Sequence, residues 1–377
     1  MAILGELVGR RHAEAFAARG DIPRIAAEEA GVAASATGGW RSTVLGSAVS
    51  LTLLAGSGSR WQASLEAARR AGTLSGAAAS FDPALPRGLF PVRDFLRSGA
   101  AAQGGIPIAA YSFAAVAGLG AHVVVVRGHE EEIRRGIFAP LGFEGPEGTW
   151  RFATQEAPFG KPLGHGDAAW QCRALWREAE WVVTNFGGDA NSRHSVEASV
   201  LAMAALDFLS EGGAFAGCDL LIPAALLPAP AYPIGLDAEG RPVAFGHDKL
   251  GLAKGGTGGG EAYSNVGLRV YRASALAAAL EELRDKWWVP GKGYAIPGND
   301  PAGGECALDN ADAVFASRGR ARILALAHPR ELSPAKSLDE IPRFEAAVSE
   351  VVIEDGLRSG FQERSGAQRK GEGIAIS

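Results

Sequence analysis

The sequence predicts an α/β fold: a mostly parallel sheet flanked by helices, with a helical N-terminal extension. Three observations predict it. Short apolar runs too brief for helices recur at residues 44–54, 121–127, 181–185 and 320–327. Helix-period segments follow several of them, at 61–70, 130–138 and 195–209. Glycine-bearing turns sit just beyond the strand-like runs. Alternation of this kind builds βαβ units, whose strands are buried on both faces and whose ligands gather beyond the carboxyl ends of the strands.

In chain order, residues 1–45 read as the helical extension, because Leu4, Leu7, Val8 and Phe16 fall on helical spacing and Gly20 and Gly31 break the pattern. The catalytic body spans 46–350, opening on a strand over 44–54. A helix over 61–70 and a small-residue loop over 72–86 come next. Residues 107–119 are helix-like, Gly120 is a stop, and 121–127 is a central strand followed by an amphipathic helix over 130–138. A strand at 181–185 precedes the helix at 195–209. Residues 225–320 are assigned to a substrate-binding subregion, 320–327 to a late strand, 339–351 to a closing helix, and 351–377 to a flexible polar tail.

Composition narrows the function. The 377 residues carry a net charge of -5, which gives no basic footprint for nucleic acid. The 51 glycines are about twice the usual share and cluster in turns, as loops around a site would. Cys172, Cys218 and Cys306 have neither pairing nor metal-ligand spacing, which fits a reducing interior. Charges at Glu6, Arg10, Arg11 and Glu14 argue against a secretory signal, and the apolar stretches are too short to cross a bilayer. The expectation is a cytoplasmic protein with no membrane or nucleic-acid partner.

Five segments carry candidate chemistry. Ser50-Leu-Thr-Leu-Leu-Ala-Gly-Ser-Gly-Ser-Arg-Trp61 ends a strand in a turn whose amides can cradle phosphate oxygens, with Arg60 as a charged donor. It lacks the Lys-Ser/Thr pair of a P-loop, and Trp61 stands where a dinucleotide fold needs its third glycine. Pro86-Arg-Gly-Leu-Phe-Pro-Val92 is a rigid basic loop. Gln155 precedes Pro162-Leu-Gly-His-Gly-Asp167. Thr184-Asn-Phe-Gly-Gly-Asp-Ala-Asn191 sets a carboxylate beyond a strand, and Arg330-Glu-Leu-Ser-Pro-Ala-Lys336 does the same for a lysine. Asp189 could instead cap the following helix, and Asn265 could satisfy a strand terminus. Asp309-Asn-Ala-Asp312 reads as a solvated turn or a cap, and Trp287-Trp288 as packing.

Taken in order, these segments resemble the uridylyltransferases that make UDP-sugars from UTP and a sugar 1-phosphate. The turn at 54–60 is similar to that family's opening Gly-x-Gly-Thr-Arg element, and Pro86-Arg-Gly to its Pro-Lys-Gly segment. Gly164-His-Gly-Asp resembles the Pro-Gly-His-Gly-Asp of UDP-glucose pyrophosphorylases, and Lys254-Gly-Gly-Thr257 their Lys-Gly-Gly-Thr loop. Arg330-Glu-Leu-Ser-Pro-Ala-Lys336 resembles the Arg-Glu-Phe-Ser-Pro-Leu-Lys of UDP-N-acetylhexosamine pyrophosphorylases. Ser57 and Ser59 depart from the family's glycine and threonine, and Arg87 occupies its signature lysine position.

The resemblance implies a Rossmann-like, GT-A-like nucleotidyltransferase that binds UTP and a sugar 1-phosphate with Mg²⁺. It implies nucleotide contacts from Leu54, Ala55, Gly56, Ser57, Gly58, Ser59, Gln155, Gly164, His165 and Gly166. Arg60, Arg87 and Lys336 would be the catalytic cations, Asn265 and Lys254 the sugar contacts, and Asp189 the metal ligand. The residue types suit the chemistry, since two polyanions must meet and charge neutralisation dominates phosphoryl transfer. A glycosyltransferase of the related fold would want an Asp-x-Asp pair, which the chain lacks; a nucleotide-sugar sensor without turnover is the other rival.

Overall fold

The computed structural model describes residues 38–55, 58–97, 105–143, 149–211, 217–228, 230, 233–238, 240–245, 262–299, 303–324 and 329–354. Among them the sheet strands are β1 (Ala48–Leu53), β2 (Ala121–Val126), β3 (Trp150–Thr154), β4 (Trp181–Phe186), β5 (Leu220–Leu227), β6 (Pro233–Leu236), β7 (Pro242–Phe245), β8 (Ala262–Asn265), β9 (Arg269–Arg272) and β10 (Ala321–Leu324). The main helices are α1 (Gly38–Gly46), α2 (Ser59–Arg70), α3 (Ala109–Val116), α4 (Gly164–Gln171), α5 (Arg193–Glu211), α6 (Ala273–Trp287), α7 (Leu308–Ser317) and α8 (Ile341–Glu354). The stretch after β2 is an interrupted helix, α-helical over Glu130–Ile133 and wound as a π-helix over Arg134–Phe138.

One large sheet runs β3-β2-β1-β4-β9-β5-β8-β6-β7, with β10 also on β5. β1 pairs in parallel with β2 and β4, β2 with β3, and β10 with β5. β9 runs antiparallel between β4 and β5, and β8, β6 and β7 extend the sheet antiparallel. The sheet is therefore mixed around a parallel core, not mostly parallel as expected. The strands not expected are β3, β5 and four four-residue pieces, β6 to β9; the short pieces lack long apolar runs, whereas β5 is an eight-residue apolar run outside the expected strands.

All six residues of β1 are buried, as a central strand covered on both faces requires. Alternate side chains serve opposite faces: Val123 and Val125 join α4, α6 and α7, whereas Val124 and Val126 join α2, α3 and α8. The latter face holds Trp61, fully buried and edge-on to Phe90 at 4.8 Å. The tryptophan in the glycine turn is thus a core anchor that fixes α2 to the loop carrying Arg87.

The expected first strand at 44–54 begins later. Val44 and Leu45 belong to α1 and pack with Val196 and Val200 of α5, so α1 is part of the body. A short apolar run does not distinguish a helix end from a strand start. Residues 351–354, assigned to the flexible tail, are instead the last turn of α8; residues 1–37 and 355–377, which contain the rest of the extension and of the tail, lie outside the described residues.

Candidate active site

The strand order reverses at β1, which has its sequence neighbour β2 on one side and β4 on the other. Open α/β sheets bind ligands in the crevice at such a reversal, beyond the carboxyl ends of the strands. Two backbone bonds carry the pairing past the strand ends, from Leu54 N–H to the Val125 carbonyl at 2.9 Å and from Gly187 N–H to the Leu53 carbonyl at 3.2 Å. A cavity of about 290 Å³ opens there.

Segments far apart in sequence meet in its walls. Leu54 and Ala55 lie just past β1, and Gly58 and Arg60 come from the start of α2. The other walls come from 86–88 with Arg87, from Gln155 with Gly164 and His165, from Phe186 and Gly187 at the end of β4, from Glu305, and from Lys336. Gly58 adopts a left-handed conformation (φ 60°) immediately before α2, and its carbonyl accepts the Gln62 amide at 2.9 Å. Arg60 is exposed in the first turn of α2. Gly56, Ser57, Lys254 and the side chain of Ser59 lie outside the described residues.

Charge concentrates where 86–88, the turn after β4 and the 330s meet. The guanidinium of Arg87 lies on Gly188, whose backbone has no room for a Cβ beside it. Burial lowers the Arg87 pKa, opposed by the nearby Asp189 and Glu340. Ala335 N–H donates to the Gly188 carbonyl at 3.0 Å, which holds the neighbouring Lys336 close to Asp189.

Asp189 is buried behind these cations and does not itself line the cavity. Its Oδ2 has no hydrogen-bond partner among the described residues and faces Gly267, where a Cβ would overlap it. Burial pushes its carboxyl up to about 6, while Lys336, Arg87 and Arg269 pull it down. It does not cap α5. Ser192 does, accepting the Ser195 amide on its Oγ at 2.9 Å.

The 155–167 segment is built differently from the expectation. Gln155 is buried and donates from Nε2 to the Gly164 carbonyl at 2.9 Å. Gly164 and Gly166 make room for protein backbone: a Cβ would stand 2.5 Å from the Cys306 carbonyl oxygen at the first and 2.8 Å from that of Ala307 at the second. Gly166 is buried away from the cavity, whereas Pro162, Gly164 and His165 of this segment line it. His165 accepts the Leu308 amide on Nδ1 at 2.9 Å, at the N-terminus of α7, which places its ring proton on Nε2, 3.7 Å from Asp309 Oδ2. Asp167 is structural, accepting from Tyr294 Oη at 2.9 Å and from Gln171. Asn265 does not line the cavity; its Oδ1 accepts the Gly267 amide at 3.2 Å, the strand-terminus role.

Asp309 and Asp312 are not a solvated turn. Both are buried on α7 and hold Arg269 of β9, at 3.0 and 2.7 Å, with Tyr271 donating to Asp312 at 2.6 Å. Their i,i+3 spacing put two carboxylates on one helix face, a signal of a shared partner. Glu331 also escaped notice: it is buried and accepts from Ser192 N–H at 3.1 Å and Ser195 Oγ at 2.7 Å. No cluster of three or more His, Cys, Asp or Glu able to hold a metal occurs among the described residues.

No protein-family model and no curated protein matches this chain. The chemistry must therefore be read from the cavity. Three cations, Arg60, Arg87 and Lys336, and a helix N-terminus against a single carboxylate, Glu305, among the described residues of the same walls suit a phosphorylated, anionic ligand. No helix among the described residues is long and apolar enough to cross a membrane.

Proposed function

We propose that the chain is a magnesium-dependent uridylyltransferase, which transfers a uridylyl group from UTP to a sugar 1-phosphate and releases pyrophosphate. One observation carries this reading. Residues 54–55, 58 and 60, 86–88, 155, 162, 164–165 and 336, which belong to segments that resemble that family's motifs in order, converge on one crevice at the β1/β4 reversal. The finer fold assignment, a Rossmann-like GT-A-like nucleotidyltransferase, belongs to the same proposal and draws support from that reversal.

In this reading a sugar-phosphate oxygen attacks the α-phosphorus of UTP, a P–O bond forms, and the bond to the β-phosphate bridge breaks. The attacking oxygen is already ionised, so no general base is needed. Arg60 and the α2 amides would hold the leaving phosphates, Arg87 the polyphosphate, and Lys336 the sugar phosphate. Gln155 and Gly164 would form the wall facing the base.

The residues fit magnesium in one respect. Asp189 offers a buried carboxylate oxygen without a partner among the described residues, although that oxygen faces Gly267 and lies outside the cavity lining; magnesium commonly takes one or two carboxylates with substrate phosphates and water as its remaining ligands. When bound, the ion would neutralise phosphate charge as it develops.

The test is pyrophosphate release from four nucleoside triphosphates, dTTP among them, against several sugar 1-phosphates. Release that requires UTP and one sugar phosphate supports the reading. Tight UTP binding without release in any pairing would instead favour a nucleotide-sugar sensor.

A further inference from the structure

The segment that brings Lys336 to the cavity is held from its own downstream side, where Glu340 accepts the Lys336 amide at 2.6 Å and Arg343 donates to Ser333 Oγ at 3.1 Å, and is tied to the Asp189 turn at two points. Upstream, the Glu331 carboxylate reaches across to the start of α5, where it accepts from the Ser192 amide at 3.1 Å and the Ser195 hydroxyl at 2.7 Å. Downstream, Ala335 N–H donates to the Gly188 carbonyl at 3.0 Å. The two anchors lie on either side of Asp189, on the single stretch 188–195 that links β4 to α5. Glu331 is 3% exposed, so its carboxylate has little water to fall back on and its bonds define its position. An anion at this helix end also suits the positive end of the helix dipole.

We propose that Glu331 is a positioning residue: by clamping 331–336 to the Asp189 turn, it sets where the Lys336 ammonium stands relative to Asp189 and so the affinity for the second, sugar-phosphate substrate. This rests on the uridylyltransferase reading. Lys336 touches the ligand, and Glu331 acts through it. A carboxylate suits the role because the Ser192 amide, the Ser192 hydroxyl at 3.5 Å and the Ser195 hydroxyl all donate to it. An amide of equal size offers one oxygen acceptor and turns an NH₂ toward one of the donors.

Glu331→Gln tests this, with Ser195→Ala as the milder change that removes the nearest donor, the Ser195 hydroxyl at 2.7 Å. The clamp predicts a KM for sugar 1-phosphate raised about tenfold in Glu331→Gln, a KM for UTP within twofold of wild type, and a smaller shift of the same kind in Ser195→Ala. It also predicts that combining them adds little to Glu331→Gln alone, since both break one contact. Equal damage to both KM values, or strict additivity, overturns it and leaves Glu331 a helix cap only. Hydrogen exchange separates this result from the function itself. The Ala335 amide should exchange at least tenfold faster in Glu331→Gln while the Val182 amide of β4 is unchanged. Unaltered Ala335 exchange overturns the clamp even if wild type releases no pyrophosphate from any pair.

Discussion

Arg87 and Gly188 are in direct contact: the guanidinium lies where any side chain at 188 would have to begin. The glycine is therefore the floor on which the cation rests, and the same residue's carbonyl holds Ala335. Gly188→Ala should push Arg87 aside while the strands keep their packing, because the far end of a long side chain can swing into the cavity it lines. We expect a loss of about 1 kcal/mol in stability, within the range of mild overpacking. Affinity for UTP, measured by calorimetry, should fall roughly tenfold as a charge-assisted contact is lost. Unchanged UTP affinity would remove Arg87 from the nucleotide site.

Charge matters more at Arg87 than its fork. Arg87→Lys keeps a cation facing Asp189 and Glu340 and should retain turnover. Arg87→Ala should be severely impaired, and should destabilise the ionised form of Asp189, whose carboxyl Arg87 pulls down. An alanine variant with wild-type kinetics would contradict both statements.

Lys336→Ala should raise the KM for the sugar phosphate far more than that for UTP. One phosphate-binding cation is worth about 1.5–3 kcal/mol, roughly ten- to a hundredfold. Damage shared equally between the substrates would reassign Lys336 to the triphosphate.

A pH prediction comes from β2. His122 is buried, hydrogen-bonded to Ser50 at 2.8 Å and stacked on Trp150 at 3.8 Å, and burial pushes its pKa down to about 3. Between its ordinary value near pH 6.5 and pH 3, the unfolded chain binds a proton that the folded one refuses. Stability is thus lost as pH falls through this window, on the order of 4 kcal/mol by pH 3. His122→Asn, which cannot titrate, should be less stable at pH 7 through lost stacking but should lose less between pH 6.5 and 3.5. Urea midpoints at pH 7, 5 and 3.5 measure this, and parallel curves would mean that His122 is charged in the fold.

The legible parts of the molecule were those with local signals. Leu51, Val123 and Val183 sit in long apolar runs closed by glycine turns, and β1, β2 and β4 followed from them. β8 and β9 did not, because Arg269 looks like a surface residue until Asp309 and Asp312 are placed beside it, forty or more positions away in sequence. Glu331 is the same case at a distance of 136 residues from Ser195. Gly164 and Gly166 signalled a close approach correctly, but the approaching backbone is that of 306–307. A lone sequence reports that space is needed, not what fills it.

Asp189→Asn should separate stability from activity. Burial raises the folded carboxyl to about 6, above its ordinary value near 3.8. The folded protein therefore holds this proton more tightly than the unfolded chain. The stabilising contribution is complete below about pH 3.8 and is lost as pH rises through about 6, leaving a deficit on the order of 3 kcal/mol at neutral pH. The asparagine carries no charge to desolvate, so the variant without nucleotide should melt higher than wild type at pH 8 and no higher at pH 4. Turnover should meanwhile drop by several orders of magnitude, because the carboxylate proposed to hold magnesium is gone. Magnesium with UTP should stabilise wild type and leave the variant's melting temperature nearly unchanged, by the linkage between binding and folding. A variant that melts lower at pH 8 would show that partners need the Asp189 charge for the fold. Near-normal turnover at limiting magnesium would place the metal elsewhere.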